Sequence, residues 1–206
     1  MIMIYSDFLV ISASGFLSPI YAVFVTRQVV GATLATVGFV TTMFYVVKSA
    51  LQFPISSYAD SVKGENDDFK LMVIGTFIVS VVPLIYYFFV HEVWEMFAAE
   101  TLNGIGYAMI IPTWLAIYTR HIDRHRESWE WMLHSNAVGL GFAVTATVGG
   151  VLAERFGFGV IFLLTSAFSF VGAGMLLLIK HDMHGADHRD GFSDGFVIAA
   201  EKEKLP

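Results

Sequence analysis

Two ionisable side chains, Lys48 and Glu100, stand inside long apolar runs of this sequence. A lysine at mid-bilayer depth costs about 2.5–3.5 kcal/mol on insertion scales, so it should face protein or water, where it can hold an anionic group or pair with a carboxylate. Glu100 lies roughly two turns from the nearer end of its run, counting 1.5 Å per residue. A carboxyl at that depth is a candidate for taking up and releasing a proton, or else a hydrogen-bonded structural acid. Each has polar company at helical spacing. Thr41, Tyr45, Lys48, Gln52 and Ser56 follow the i, i+4, i+7, i+11, i+15 series of one stripe. Glu100, Asn103, Tyr107, Trp114 and Tyr118 align roughly on another, with Pro112 predicting a kink. Asp7, Ser14, Ser18 and Tyr21 mark a third face, with Pro19 beside them, and His134, Gly141 and Thr145 a fourth. His134 could relay protons or be an interfacial histidine, and Asp7 is near enough to the N-terminus for water to reach it. Tyr45, Tyr107 and Trp114 suit either packing or stacking against a ligand.

The elements that carry these residues follow from composition. Apolar residues make up 56% of the 206 and charged residues 15%, with 19 Phe and a mean hydropathy of +0.66. Soluble domains carry about 25% charged residues, so this is a membrane protein. A helix needs about 20 apolar residues to cross the hydrocarbon. Six segments qualify: 5–26, 33–59, 70–90, 93–118, 129–152 and 158–179. They make a transmembrane bundle over residues 1–180, followed by a polar tail, 181–206. The N-terminus lacks a basic region and a small-residue cleavage site, so it reads as a retained first helix. With no Cys, thiolate metal sites and cysteine nucleophiles are excluded. No metal-ligand spacing of His appears, so neither a metal nor a cofactor is expected. The net charge of -6 argues against nucleic acid as a partner.

Basic residues orient the bundle. One side of a six-span arrangement holds Lys63, Lys70, Arg120, Arg124, Arg126, Lys180, Arg189, Lys202 and Lys204, and the other only Arg27 and Arg155. That bias places both termini in the cytoplasm, with the spans in the inner membrane. Spans 1, 2, 4 and 5 carry the polar stripes and are expected to look inward. Between Lys70 at its start and the tyrosines at its end the third span has no ionisable group, nor has the sixth, and both are expected to face lipid. Two triplets, each with an apolar third helix, suggest an inverted repeat, which "SYADSVKG" and "VLAERFGF" at opposite membrane sides support. Ala137, Gly141, Thr145, Gly149 and Ala153 recur every fourth residue, with Gly150 alongside, a stripe for close helix packing.

These segments resemble a family. "SSYADSVKG" is similar to the G-x-x-x-D-R-x-G-R-K loop signature of the major facilitator superfamily: Asp60 holds the acidic position and Ala59 the small residue before it, while Ser56 replaces the Gly and Ser61 the Arg. "ETLNGIGYA" resembles the R-x-x-x-G-x-G stretch through Gly104 and Gly106, with Glu100 where Arg is usual. "GFAVTATVGGVLAERFGFGVIF" matches the Gly-rich pattern of the fifth and sixth helices at Gly141, Gly149 and Gly150, with Thr145 and Ala146 in place of Gly-Pro. The likeness runs over about residues 5–180.

The resemblance implies an all-α integral membrane protein with six transmembrane helices in two inverted three-helix repeats, one half of the usual twelve-helix carrier. A polar face on four helices needs a second bundle, and a parallel copy of the same chain supplies one. The implied function is secondary active transport of a small solute by alternating access, proton-coupled and carried out by that homodimer. Lys48, Glu100, Tyr45, Gln52, Asn103, Tyr107, Trp114 and His134 are the expected substrate or coupling residues. Asp60 is the expected cytoplasmic gate, latching onto the start of the fifth span of the mate near Glu127 to Trp131. The alternative is a non-transporting membrane subunit or sensor. An intramembrane serine protease fits poorly, because "SASG" at Ser12 to Gly15 lacks the first Gly of Gly-x-Ser-Gly and the sixth span has no His.

Overall fold

The computed structural model describes residues 2–61, 66–122 and 126–183, with the side chains of 2, 3 and 179–183 left aside. Lys63, Gly64 and Arg124 from the basic and loop patterns, and most of the expected tail, lie outside the described residues. Seven helices form among those described: α1 (Ile2–Leu17), α2 (Tyr21–Gln28), α3 (Leu34–Ser61), α4 (Asn66–Phe88), α5 (Val93–Arg120), α6 (Glu127–Phe156) and α7 (Phe158–Met183).

The expected first span is thus two helices. They meet at an angle of 47°, and the break falls at Ser18–Ile20, where Pro19 has no N–H to donate. Past α2 the chain reverses through Gly31, whose φ of +75° places it in the left-handed region. Thr33 and Thr36 then cap α3 reciprocally, each hydroxyl taking the other's backbone N–H at 3.3 and 3.0 Å. On the same side of the bundle, Val30 N–H donates to the His91 carbonyl at 2.8 Å, joining this turn to the one before α5. Glu92 and Glu95 close a capping box at the start of α5. By contrast with Pro19, Pro112 leaves α5 unbroken. Its ring interrupts one backbone bond in a helix that neighbours hold on several sides.

Packing is reciprocal. Helix α5 lies against α3 and α4, α1 against α6 and α7, and α4 against α7. Glycines set the closest approaches: a Cβ on Gly75 of α4 would sit 2.7 Å from the Gly106 carbonyl of α5, and one on Gly104 of α5 2.9 Å from the Phe44 carbonyl of α3. Gly149 meets the Phe16 backbone, and Gly141 meets Ser12 and Phe8. Thr145 donates to the Ser12 carbonyl at 2.6 Å, so the small-residue stripe of α6 is its contact with α1. Gly150 lies off that contact, with open space where a Cβ would be. One residue turns a helix by 100°, which separates it from Gly149.

The third and sixth spans carry more of the internal packing than their apolar sequences suggest, while keeping an exposed apolar outer face. The apolar windows of α4 and α7 are each 44% buried, against 6% for α3 and 11% for α6. Helices α4 and α7 are the spine of the bundle, joined where the Ser166 hydroxyl donates to the Ser80 carbonyl. Their large side chains such as Phe77, Val81, Leu163 and Val171 are exposed on the outside. An apolar sequence alone does not separate lipid contact from protein contact. Four of these helices, or five with the bent α1–α2 pair, are long and apolar enough to cross a membrane. Helix α5 is not among them. It carries Glu100, Thr113, Trp114 and Tyr118 buried against its neighbours, and a helix enclosed by protein has less need of an apolar surface.

Candidate functional site

A cavity of about 430 Å³ opens between α1, α2, α3, α4, α5 and α7. Its volume is within the usual range for small-molecule sites, about 300–1,000 Å³. Lys48 and Tyr45 line one wall from α3, Glu100, Asn103 and Tyr107 another from α5. Five of the eight expected substrate or coupling residues therefore share one space. Gln52, Trp114 and His134 do not line it.

Glu100 is buried and fully engaged. One carboxylate oxygen accepts hydrogen bonds from the Tyr21 and Tyr86 hydroxyls, both at 2.6 Å, and the other from the Asn103 amide at 3.1 Å. The three donors come from α2, α4 and α5, so this acid ties three helices together. Tyr21 reaches it because the bend at Pro19 redirects α2. Tyr86 reaches it from the last turn of α4, held by the cluster of Phe24, Phe162 and Met96.

Lys48 is placed differently. Its Nζ sits 4.6 Å from the centre of the Tyr45 ring and 5.6 Å from that of Phe44, and it makes no ion pair among the described residues. Ring faces attract an ammonium without neutralising it. Tyr107 packs edge-on against Phe44 at 5.6 Å, so aromatic surface continues from Lys48 toward Glu100.

Away from the cavity, His134 of α6 meets Asp7 of α1, Nε2 to Oδ2 at 2.7 Å, with both side chains only about a tenth exposed. Trp114 lies tilted over the His134 ring at 4.7 Å, and Tyr118 and Trp131 complete an aromatic surround. Water access does not explain Asp7. It has a specific partner 127 residues away.

At the opposite end of α4 from Tyr86, Asp68, 1% exposed, pairs with Arg120 of α5 at 2.8 Å. Asp60 is exposed in the last turn of α3 and makes no ion pair among the described residues. Sequence reasoning missed Tyr86, Thr165 and Ser169 as cavity residues and Asp68 as a buried ion-pair partner. The tyrosine ending the third span was the one signal for the first of these.

Glycine-contacted helices long and apolar enough to cross a membrane, enclosing a mostly apolar cavity that carries Lys48 and Glu100, define a membrane-spanning bundle with a small-molecule-sized space inside it. Residues 4–202 match the family model of the Major Facilitator Superfamily, and the chain belongs to that superfamily. It is similar to an uncharacterized MFS-type transporter of Methanocaldococcus jannaschii, 29% identical over 144 residues, which is 69% of this chain and 35% of that protein. Its fold is similar to the in meso crystal structure of the POT family transporter PepTSo, with a TM-score of 0.68 and 15% identity, covering 87% of this chain and 37% of that one. The chain thus spans about a third of the length of each. It is a multi-pass membrane protein of a transporter family.

Proposed function

We propose that the chain is one six-helix half of a secondary active transporter that moves a small solute by alternating access, coupled to protons. Two parallel copies, both termini cytoplasmic in the inner membrane, rebuild a twelve-helix carrier around a shared cavity. The observation that carries this reading is the open wall: the outward faces of α3 and α6 are left uncovered, with Phe39, Tyr45, Val46, Leu140 and Val144 exposed on them and Lys48 half-buried on α3. A lysine at membrane depth on such a face calls for an aqueous or protein partner. The reciprocal packing of α1 and α5, each against the last two helices of the other triplet, supports an inverted repeat.

In this reading the cavity of each copy supplies Lys48, Tyr45, Asn103 and Tyr107 to the solute, and rocking of one copy against the other exposes them to either side. Asp60 acts as the cytoplasmic gate, reaching the N-terminal turn of α6 in the mate near Glu127 to Trp131. Gln52, Trp114 and His134 support the site from outside the cavity. Protons enter through the buried acids, Glu100 or the Asp7–His134 pair.

The test is solute flux into proteoliposomes of the full chain. Flux that falls in Lys48→Ala and in Asp60→Asn, with folding retained, supports a carrier. A protein that binds partners yet moves no solute would favour a membrane subunit or sensor instead.

A further inference from the structure

The cavity lining contains two formally charged groups, Lys48 and Glu100, and they differ in what remains for a solute. Glu100 is 6% exposed and both of its oxygens already accept hydrogen bonds, three in all, from within the protein. A carboxylate holding three internal donors presents little capacity to a cationic ligand, and displacing any donor would strand a buried hydroxyl or amide. Those same dipoles point their positive ends at the acid and blunt its repulsion of an incoming anion. Lys48 has three ammonium donors, no carboxylate among the described residues, and two ring faces beside it. Across the cavity, the Thr165 hydroxyl is buried at the wall without a hydrogen-bond partner among the described residues.

We infer that this cavity takes an anionic organic solute, its charged end held by Lys48 and its body lying along Tyr45, Phe44 and Tyr107, while Glu100 holds the wall together rather than binding the solute. A parallel two-fold assembly would bring a second Lys48 to the same space and reinforce the preference. Thr165 supplies a hydroxyl for a polar group on the solute once a bound molecule opens its packing. The inference rests on the carrier reading for the location of the site, yet binding and movement are separate observations.

The test uses the full chain in lipid nanodiscs and three phenyl probes of similar size: benzoate, benzamide and benzylamine, which are anionic, neutral and cationic. Thermal unfolding reads binding, since a ligand that prefers the folded state raises the melting temperature. Benzoate is expected to raise it in the wild type and in Lys70→Gln, a surface control, while benzamide and benzylamine have at least tenfold weaker effect. Lys48→Gln is expected to abolish the benzoate shift, and Lys48→Arg to retain part of it, which separates lost charge from lost folding. A shift with benzylamine instead of benzoate, a benzoate shift that survives Lys48→Gln, or no shift with benzoate would each overturn the inference. Benzoate binding without any flux in proteoliposomes would refute the carrier reading while leaving the anion site standing.

Discussion

Removing the Glu100 carboxylate should be among the most damaging single changes to this bundle. Side-chain hydrogen bonds between membrane helices average about 0.6 kcal/mol and reach about 1.7 kcal/mol in double-mutant cycles. Bonds to a charged acceptor run higher, about 1.5–3 kcal/mol. Three donors from three helices converge on Glu100, two of them at 2.6 Å. Taking about 1.5 kcal/mol for each gives roughly 4–5 kcal/mol for Glu100→Ala, most of it the cost of stranding Tyr21, Tyr86 and Asn103. Glu100→Gln should cost less, about 2 kcal/mol, because the amide oxygen can still accept from both tyrosines while its NH2 group meets the Asn103 donor. Tyr86→Phe should cost about 1.5 kcal/mol in the wild type and close to nothing in Glu100→Ala. Equilibrium unfolding in mixed micelles, followed by far-ultraviolet circular dichroism, measures all four variants. The reasoning fails if Glu100→Ala changes stability by less than about 0.5 kcal/mol, or if Tyr86→Phe costs the same in both backgrounds.

Three further outcomes follow from the packing and the ion pairs. Gly149→Ala, against the Phe16 backbone, should destabilise by about 1–3 kcal/mol through overpacking, while Gly150→Ala, in open space, should stabilise by about 0.5–1 kcal/mol through helix propensity, both read as unfolding midpoints. Arg120→Ala leaves the buried Asp68 carboxylate alone and should cost about 3 kcal/mol, largely restored by adding Asp68→Asn, whereas breaking the exposed Lys70–Asp67 pair should leave the unfolding midpoint nearly unchanged. Asp7→Asn and His134→Gln should be non-additive by about 1 kcal/mol or more in a double-mutant cycle, since each loses the same 2.7 Å contact; additivity would mean that the pair contributes nothing.

Much of the bundle could be read from the sequence because apolar run length and bilayer thickness are tightly linked. Lys48 and Glu100 stood out as charges in apolar runs, and the fourfold spacing of Gly141, Thr145 and Gly149 identified the face of α6 that meets α1. What remained hidden depends on contacts distant in the chain. The Glu100 cage needs Tyr21, 79 positions away, and a bend whose direction no local pattern specifies. Thr165 and Ser169 look like ordinary hydroxyls of an apolar span, since such residues bond their own helix backbone as readily as they line a cavity. Between α3 and α4 the carboxylates Asp60, Asp67 and Asp68 are chemically alike. Only the position of Arg120 at the end of α5 selects Asp68 for burial.

The uncovered wall of α3 and α6 carries the heaviest demand, because Phe39, Tyr45, Val46, Leu140 and Val144 all stand exposed on it. The native mass of the full chain released from nanodiscs tests this directly. A mass of two chains, with bound lipid at the rim, is the predicted result. A stable single chain with its α3 and α6 faces against lipid would contradict the two-bundle carrier.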